Sequence, residues 1–375
     1  MDTNQPTQEI DKELKCKNCG AGLRFVPGTN SLTCGFCHTS NEIVSDEDDT
    51  EIVSYDLEDF INQEQDPDNV YVSAVVKCGS CGASTSLPAN VTSANCPFCT
   101  AALVLNLDSS ENIIKPHYIL PFVVDEKTAT ENFKKWLGSL WFAPSDLGKK
   151  VAVNSSQLTG VYLPHWTFDA DTQTTYTAKR GDYYYVTETY TEVVNGEEQI
   201  REREVRHTNW IWVDGVVECD FQDIMVSGTT SLSQKSDNAL KPWDLNALKH
   251  FDERYLSGFR SETYLIKPED GFNQAKLEME PAIKRTILND IGGDEQIIES
   301  HQNEYNNVGV KYILLPVWIS SFIFNNKVYQ FVVNANTGMV TGDQPKSWMK
   351  ITLFVLMIIA ILVIFILGFS GVKGH

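Results

Sequence analysis

Apolar and polar positions change rhythm several times along the chain, and the changes divide it. From Ile351 to Phe369 there are 19 residues without a charge, mostly Ile, Leu, Val and Phe. At 1.5 Å per residue they cover roughly the 30 Å hydrocarbon core of a bilayer, which predicts a transmembrane helix over 350–369 followed by a short tail at 370–375. The bland alternative is a buried core helix, but such a helix rarely lacks every polar residue and rarely ends a chain.

Upstream, residues 126–141 place Phe133, Trp136, Leu137, Leu140 and Trp141 at helical spacing, one broad apolar face that predicts a helix packed on a sheet. Residues 242–257 and 269–290 also have a helical rhythm. Pro281 should kink or restart the second of these, and Gly292-Gly293 should end it. Strand rhythm is clearest at Tyr183–Val194 and Glu197–His207, separated by Asn195-Gly196, the dipeptide that favours a two-residue hairpin turn. That register sets Glu188 opposite Arg203 and Val186 opposite Val205. YLPHW at Tyr162–Trp166 and LLPVW at Leu314–Trp318 share a pattern, with a looser version, ILPF, at Ile119–Phe122, and suggest two related α+β halves. His117 and His165 in these entrances read as satisfied core or rim residues rather than ligands.

The cysteines change this picture most. Cys16, Cys19, Cys34 and Cys37 are spaced Cx2C, fourteen residues, Cx2C, and Cys78, Cys81, Cys96 and Cys99 repeat the spacing 62 residues later. Gly20-Ala21 and Phe36 recur as Gly82-Ala83 and Phe98, so the repeat extends beyond the cysteines. A CxxC turn sets two sulfurs on one side of a tight knuckle, and two knuckles supply four thiolates to a tetrahedral ion. These eight residues are therefore candidate ligands for two structural Zn(2+) ions, with a relic ribbon or an iron-loaded site as the competing readings. Four sulfurs leave no position for a substrate water, so neither site should be catalytic. His38, directly after Cys37, reads as an exposed neighbour, and Cys219 as a small buried residue or a free thiol.

Charge then narrows the function. The 375 residues include 30 basic and 50 acidic side chains, a formal net charge of -20 that repels nucleic acid and anionic headgroups. Between the ribbons, Glu42–Asp68 holds twelve acidic residues and no Lys or Arg. Such a run reads first as a solvated connector, and second as a docking segment carrying Ile52, Val53, Tyr55, Leu57, Phe60 and Ile61. Lys12, Lys15, Lys17 and Arg24 give the first ribbon a small basic cluster, too few for firm DNA binding. The N-terminus has no signal-peptide pattern, so the expectation is a single-pass protein of the cell membrane with its bulk in the cytoplasm. Lys346 and Lys350 before the span, against Lys373 beyond it, agree with that orientation. No phosphate loop, HExxH or GxSxG motif occurs, so an enzyme is not expected.

The order of these features, CxxC ribbons, an α+β region with LPVW and NANTGMVTGDQPKSW near its end, and a terminal apolar helix, resembles a family of bacterial TFIIB-type zinc-ribbon membrane proteins, often labelled primosomal helicase-like. The helicase label does not suit a chain without a phosphate loop. Some relatives in that family are linked to phage-shock-protein-A-like and Band-7-type membrane proteins in envelope stress, and the resemblance implies an adaptor role with such protein partners.

The expectation is thus an α+β protein with zinc ribbon 1 at 12–44, an acidic linker at 45–70 and zinc ribbon 2 at 71–107. A mixed domain rich in antiparallel strands follows at 113–345, and a bilayer-spanning helix through Ile351–Phe369 completes it. Its expected function is a membrane-anchored scaffold that recruits proteins to the cytoplasmic face. The alternative is a membrane-tethered nucleic-acid binder.

Overall fold

A computed structural model describes residues 14–43, 51–63, 70–86, 93–99, 101–104, 110–145, 147, 158–194, 197–324 and 327–372. The fold is mixed α+β with mainly antiparallel sheets. The first ribbon is formed by β1 (Leu23–Phe25), β2 (Ser31–Cys34) and β3 (Ser40–Glu42). After β4 (Tyr55–Asp56) and helix α1 (Leu57–Gln63) comes the second, with β5 (Val70–Lys77), β6 (Ser84–Ser86), β7 (Ser93–Asn95) and β8 (Ala102–Val104). β9 (Ser110–Ile114) pairs along β5, so this unit continues past residue 107.

Three very long strands build the main sheet: β11 (Thr159–Val194), β12 (Glu197–Ser227) and β15 (Glu295–Phe324). β11 runs between β12 and β15, antiparallel to both. The other edge of β15 is shared end to end by β4 at Gly309–Val310, β10 (Tyr118–Ile119) at Ile313–Leu314 and β16 (Lys327–Asn334) at Val317–Phe324. β13 (Lys249–His250), β14 (Arg260–Ser261) and β17 (Val340–Gly342) complete the sheet at its margins. The hairpin register is the one the sequence specifies, Glu188 opposite Arg203 and Val186 opposite Val205; the Asn195-Gly196 turn itself lies outside the described residues. The two proline motifs face each other on neighbouring strands, with Tyr162 opposite Pro316, Leu163 opposite Leu315 and Pro164 opposite Leu314.

Because successive side chains of a strand point to opposite faces, β11 and β15 feed two cores. Tyr162, Trp166 and Phe168 with Val310, Tyr312 and Leu314 face one side. Helix α4 (Pro268–Ile291) covers them with Phe272, Ala275, Met279, Ile283, Ile287 and Ile291, one stripe at helical spacing. Val161 and Leu163 with Ile313, Leu315, Val317 and Ile319 face the other side, beneath Leu240 and Trp243. Ribbon 1 packs into the first core and ribbon 2 into the second, so one sheet carries a ribbon on each face.

Helix α2 (Glu126–Ser139) packs on the sheet as expected. Asp125 caps it by accepting from the Thr128 N–H, and the Phe133 ring stacks on Phe331 at 3.6 Å. Trp141, expected on its buried face, lies beyond the helix and is exposed.

Three sequence expectations need correction. The acidic connector between the ribbons is not simply solvated: Tyr55–Asp56 extends the sheet, the Tyr55 ring stacks on His117 at 4.1 Å, and Phe60 is fully buried against Trp166. Its apolar thread outweighs the charge, because the carboxylates of Glu58 and Asp59 can point to water while Leu57 and Phe60 point inward. No helix spans 242–257. Asp244 and Asp252 each accept from a backbone N–H two residues on and hold single 3-10 turns at Leu245–Ala247 and Glu253–Leu256, and Lys249–His250 between them joins the sheet as β13. The short helix in this stretch comes earlier, α3 (Gln234–Leu240), capped by Ser233. Finally, α4 runs through Pro281 as one helix, so the proline does not restart it. Pro281 and Leu277, whose carbonyl loses its intrahelical donor, both lie on the exposed side, where water can satisfy it.

Helix α5 (Trp348–Val372) follows, and among the described residues its Trp348–Phe365 stretch is long and apolar enough to cross a membrane.

Candidate metal centres

Each ribbon brings its four cysteines to one point. Cys16, Cys19, Cys34 and Cys37 form one cluster and Cys78, Cys81, Cys96 and Cys99 the other, with all ligand atoms in each within 4.8 Å of one another. Local backbone chemistry makes the knuckles. In ribbon 1 the Gly20 N–H donates to Cys16 O at 2.8 Å and the Cys16 N–H to Ala21 O at 2.7 Å; in ribbon 2 Gly82 and Cys78 repeat the pair at 2.9 and 2.8 Å. Gly20 and Gly82 hold φ of 74° and 79°, a left-handed conformation that glycine adopts without strain. The second knuckle of ribbon 1 uses His38 at φ 58°, so this histidine is an exposed turn residue outside the sulfur cluster.

The spacings fit a tetrahedral ion. Cys16–Cys37 and Cys19–Cys34 are 3.5 Å apart, Cys78–Cys99 3.5 Å and Cys81–Cys96 3.7 Å. Metal–sulfur bonds of about 2.3 Å place tetrahedral sulfurs about 3.8 Å apart, whereas a disulfide needs about 2.05 Å. The sulfurs are unbonded to one another and spaced as a tetrahedral metal ion requires.

Neighbouring donors favour thiolate at some of the ligands, whereas Cys19, Cys81 and Cys96 are held above the ordinary range, Cys81 and Cys96 chiefly by burial. Backbone N–H groups of Cys37 and Phe36 point at the Cys34 sulfur and hold its thiol below the ordinary range. The Thr39 hydroxyl, 3.2 Å from the Cys37 sulfur, brings that thiol down to about 5. In ribbon 2, burial works against Cys78, but N–H groups of Cys81 and Ser80 outweigh it and the thiol falls to about 7. A closed set of four thiolates can bind and brace; it offers no open coordination position for substrate.

Both ribbons are fastened to the sheet domain. The Phe25 N–H donates to Ser257 O at 3.0 Å, the Ser257 hydroxyl to Leu23 O at 2.7 Å, and Phe25 packs edge-on to Tyr255 at 5.1 Å. For ribbon 2, the Ser321 hydroxyl donates to Phe98 O at 2.6 Å and Arg260 to Asn95 O at 2.9 Å. The repeat is broken at one position: Phe98 is 3% exposed against the sheet, while its counterpart Phe36 is 79% exposed. Of the basic cluster, Arg24 lays its stem against Gly258, and Lys12 lies outside the described residues.

Sequence reasoning missed a second polar centre. His165 is buried and its Nε2 lies 2.9 Å from Asp237 on α3, which fixes the imidazole. Beside it Glu262, 1% exposed, accepts from the Thr229 and Ser231 hydroxyls through Oε1, with the Ser84 backbone N–H also acting on the carboxyl. Burial, against the help of those hydroxyls, pushes this carboxyl up to about 7. Asp237 also lines a cavity of about 350 Å³ with Ser227, Thr229, Gln234 and Asn238. Only tertiary structure brings residues 165, 237 and 262 together, so no local spacing signals them. His117 is half-buried, stacked on Tyr55, and desolvation holds its imidazole down at about 4. Cys219 is half-buried, its thiol donating to Thr286 at 3.4 Å.

No family model and no solved structure matches the chain. It is similar to an uncharacterized protein of Bacillus subtilis (strain 168), YdjG, at 26% identity over 247 residues, or 64% of this chain and 66% of that protein's length.

Proposed function

We propose that this protein is a membrane-anchored adaptor: two Zn(2+) ions brace ribbons on opposite faces of a sheet platform, and helix α5 holds the platform at the cytoplasmic face of the cell membrane, where it recruits protein partners. The observation that carries the reading is the asymmetry between the duplicated knuckles. Phe98 and its knuckle show how this unit docks, ring buried and main-chain carbonyls bonded to Ser321 and Gln330. Phe36 presents the same unit with its ring in water, a posture that suits an aromatic anchor for a partner. Zinc is favoured because four-thiolate ribbons at this spacing hold it tetrahedrally. The -20 charge favours protein over nucleic acid as the partner. Proteins of the phage-shock-protein-A-like or Band-7 type are the first candidates, on the strength of the sequence resemblance.

The test is crosslinking and capture of the full chain from membranes, beside an anchor-only control and a Phe36→Ser variant. A partner enriched with the wild type and lost with Phe36→Ser, at unchanged zinc content, is the expected result. No partner above the anchor-only control would count decisively against the adaptor reading.

A further inference from the structure

Helix α5 does not leave the folded domain as a loose tether. The Ser347 N–H donates to Phe142 O and the Lys350 ammonium to Ala143 O, each at 2.7 Å, and the Phe142 and Phe354 rings meet edge to face at 5.4 Å. These contacts hold residues 138–143, the end of α2 and the turn after it, beside the first turns of the apolar helix. Between them lies an open cleft of about 1080 Å³ whose walls include Leu140, Trp141, Leu353, Phe354, Leu356 and Met357.

Two further features mark this corner. Trp141 is 74% exposed on one wall and Trp348 is 82% exposed at the start of α5, large rings of the kind enriched where hydrocarbon meets headgroups. The local charge also reverses that of the molecule. No carboxylate occurs from residue 132 to 145 or anywhere after Asp343, whereas Lys134, Lys135, Lys346 and Lys350 all fall in these stretches. In a chain with 50 acidic residues, these two stretches carry lysines and no carboxylate, with Glu131, Asp146 and Asp343 at their borders.

We propose that this corner is a membrane seat: residues 138–143 enter the headgroup layer of the bilayer that α5 crosses, acyl chains fill the cleft, and the lysines meet lipid phosphates. The seat rests on the reading that α5 spans a membrane. Lipid is the occupant because one wall of the cleft is the spanning helix itself, so the cleft is continuous with the surface that helix shows to hydrocarbon. The domain is then held against the membrane in one orientation rather than swinging on a stalk.

The full chain would be reconstituted in phosphatidylcholine–phosphatidylglycerol vesicles, with and without bromine on the upper acyl carbons, and tryptophan fluorescence compared for wild type, Trp141→Phe, Trp348→Phe and Trp212→Phe. With two tryptophans at the interface, Trp141→Phe and Trp348→Phe should each remove roughly half of the bromolipid-quenched signal, and Trp212→Phe none. Loss in Trp348→Phe alone would overturn the seat while leaving the spanning helix in place, and would mean that protein or water covers the cleft. Absence of bromolipid quenching in the wild type would overturn the spanning helix and the seat with it.

Discussion

Glu262 is buried, a position a carboxylate occupies only at a cost. Its folded value near 7, against 4.5 for the free group, means that the folded state keeps a proton the unfolded state has released. Stability therefore falls as pH rises from about 4.5 to about 7. His117 runs the other way: neutral in the fold down to about 4, it favours unfolding as pH falls below 6.5. The opposed slopes flatten the wild-type curve. Glu262→Gln keeps the acceptor for Thr229 and Ser231 and removes one slope, so its stability relative to wild type should grow by about 1 kcal/mol between pH 6 and pH 8; thermal melts of both proteins at the two values would show it. An unchanged difference would mean that Glu262 is ionised in the fold. At the clusters, metal analysis should return two zinc ions per chain, falling to one in Cys34→Ser or Cys96→Ser. The eight cysteines were legible because ligand spacing is a local property. His165 was read as a satisfied core residue, but its partner Asp237 and its neighbour Glu262 were not legible, because each is an ordinary residue until the fold brings them together.

Among elements, the docked segment 51–63 repeats the lesson. Its acidic composition argued for a connector, but Phe60 between His117 and Trp166 decides where it sits. Phe60→Ala should cost about 3–5 kcal/mol in unfolding free energy, whereas Phe36→Ala should change it by less than about 0.5 kcal/mol. Denaturant melts of the two variants in detergent would separate an internal anchor from an external one. The long hairpin was legible down to the pairing of Glu188 with Arg203, because alternation and the Asn-Gly turn specify register locally. Residues 242–257 were misread because their apolar positions serve both a helix and a strand-and-turn course, and pairing of Lys249–His250 with Tyr118–Ile119 selects the second. Pro281 does not restart α4, since the buried stripe of the helix outweighs one missing hydrogen bond on its wet side.

For the whole molecule, two ribbons on opposite faces of one sheet make a three-layered body, with the apolar helix tied to one corner. A chain ending at Lys346 should move from the carbonate-washed membrane pellet to the soluble fraction and still bind two metal ions, because both clusters are bound to the sheet domain by contacts upstream of that point. Retention in the pellet would show a second means of attachment. The class of fold and its order of parts were legible in the sequence; the stacking was not, because it depends on which face of β11 and β15 each ribbon meets. The position of β15 has a consequence for synthesis. It pairs with β4, β10, β11 and β16, so both cores remain open until the ribosome has made residues 295–324. The cysteine clusters are therefore complete long before they have a sheet to sit on, and the two cores close only shortly before the apolar helix emerges. Along the chain the two cysteine clusters come first, the long strands next and the apolar helix after them.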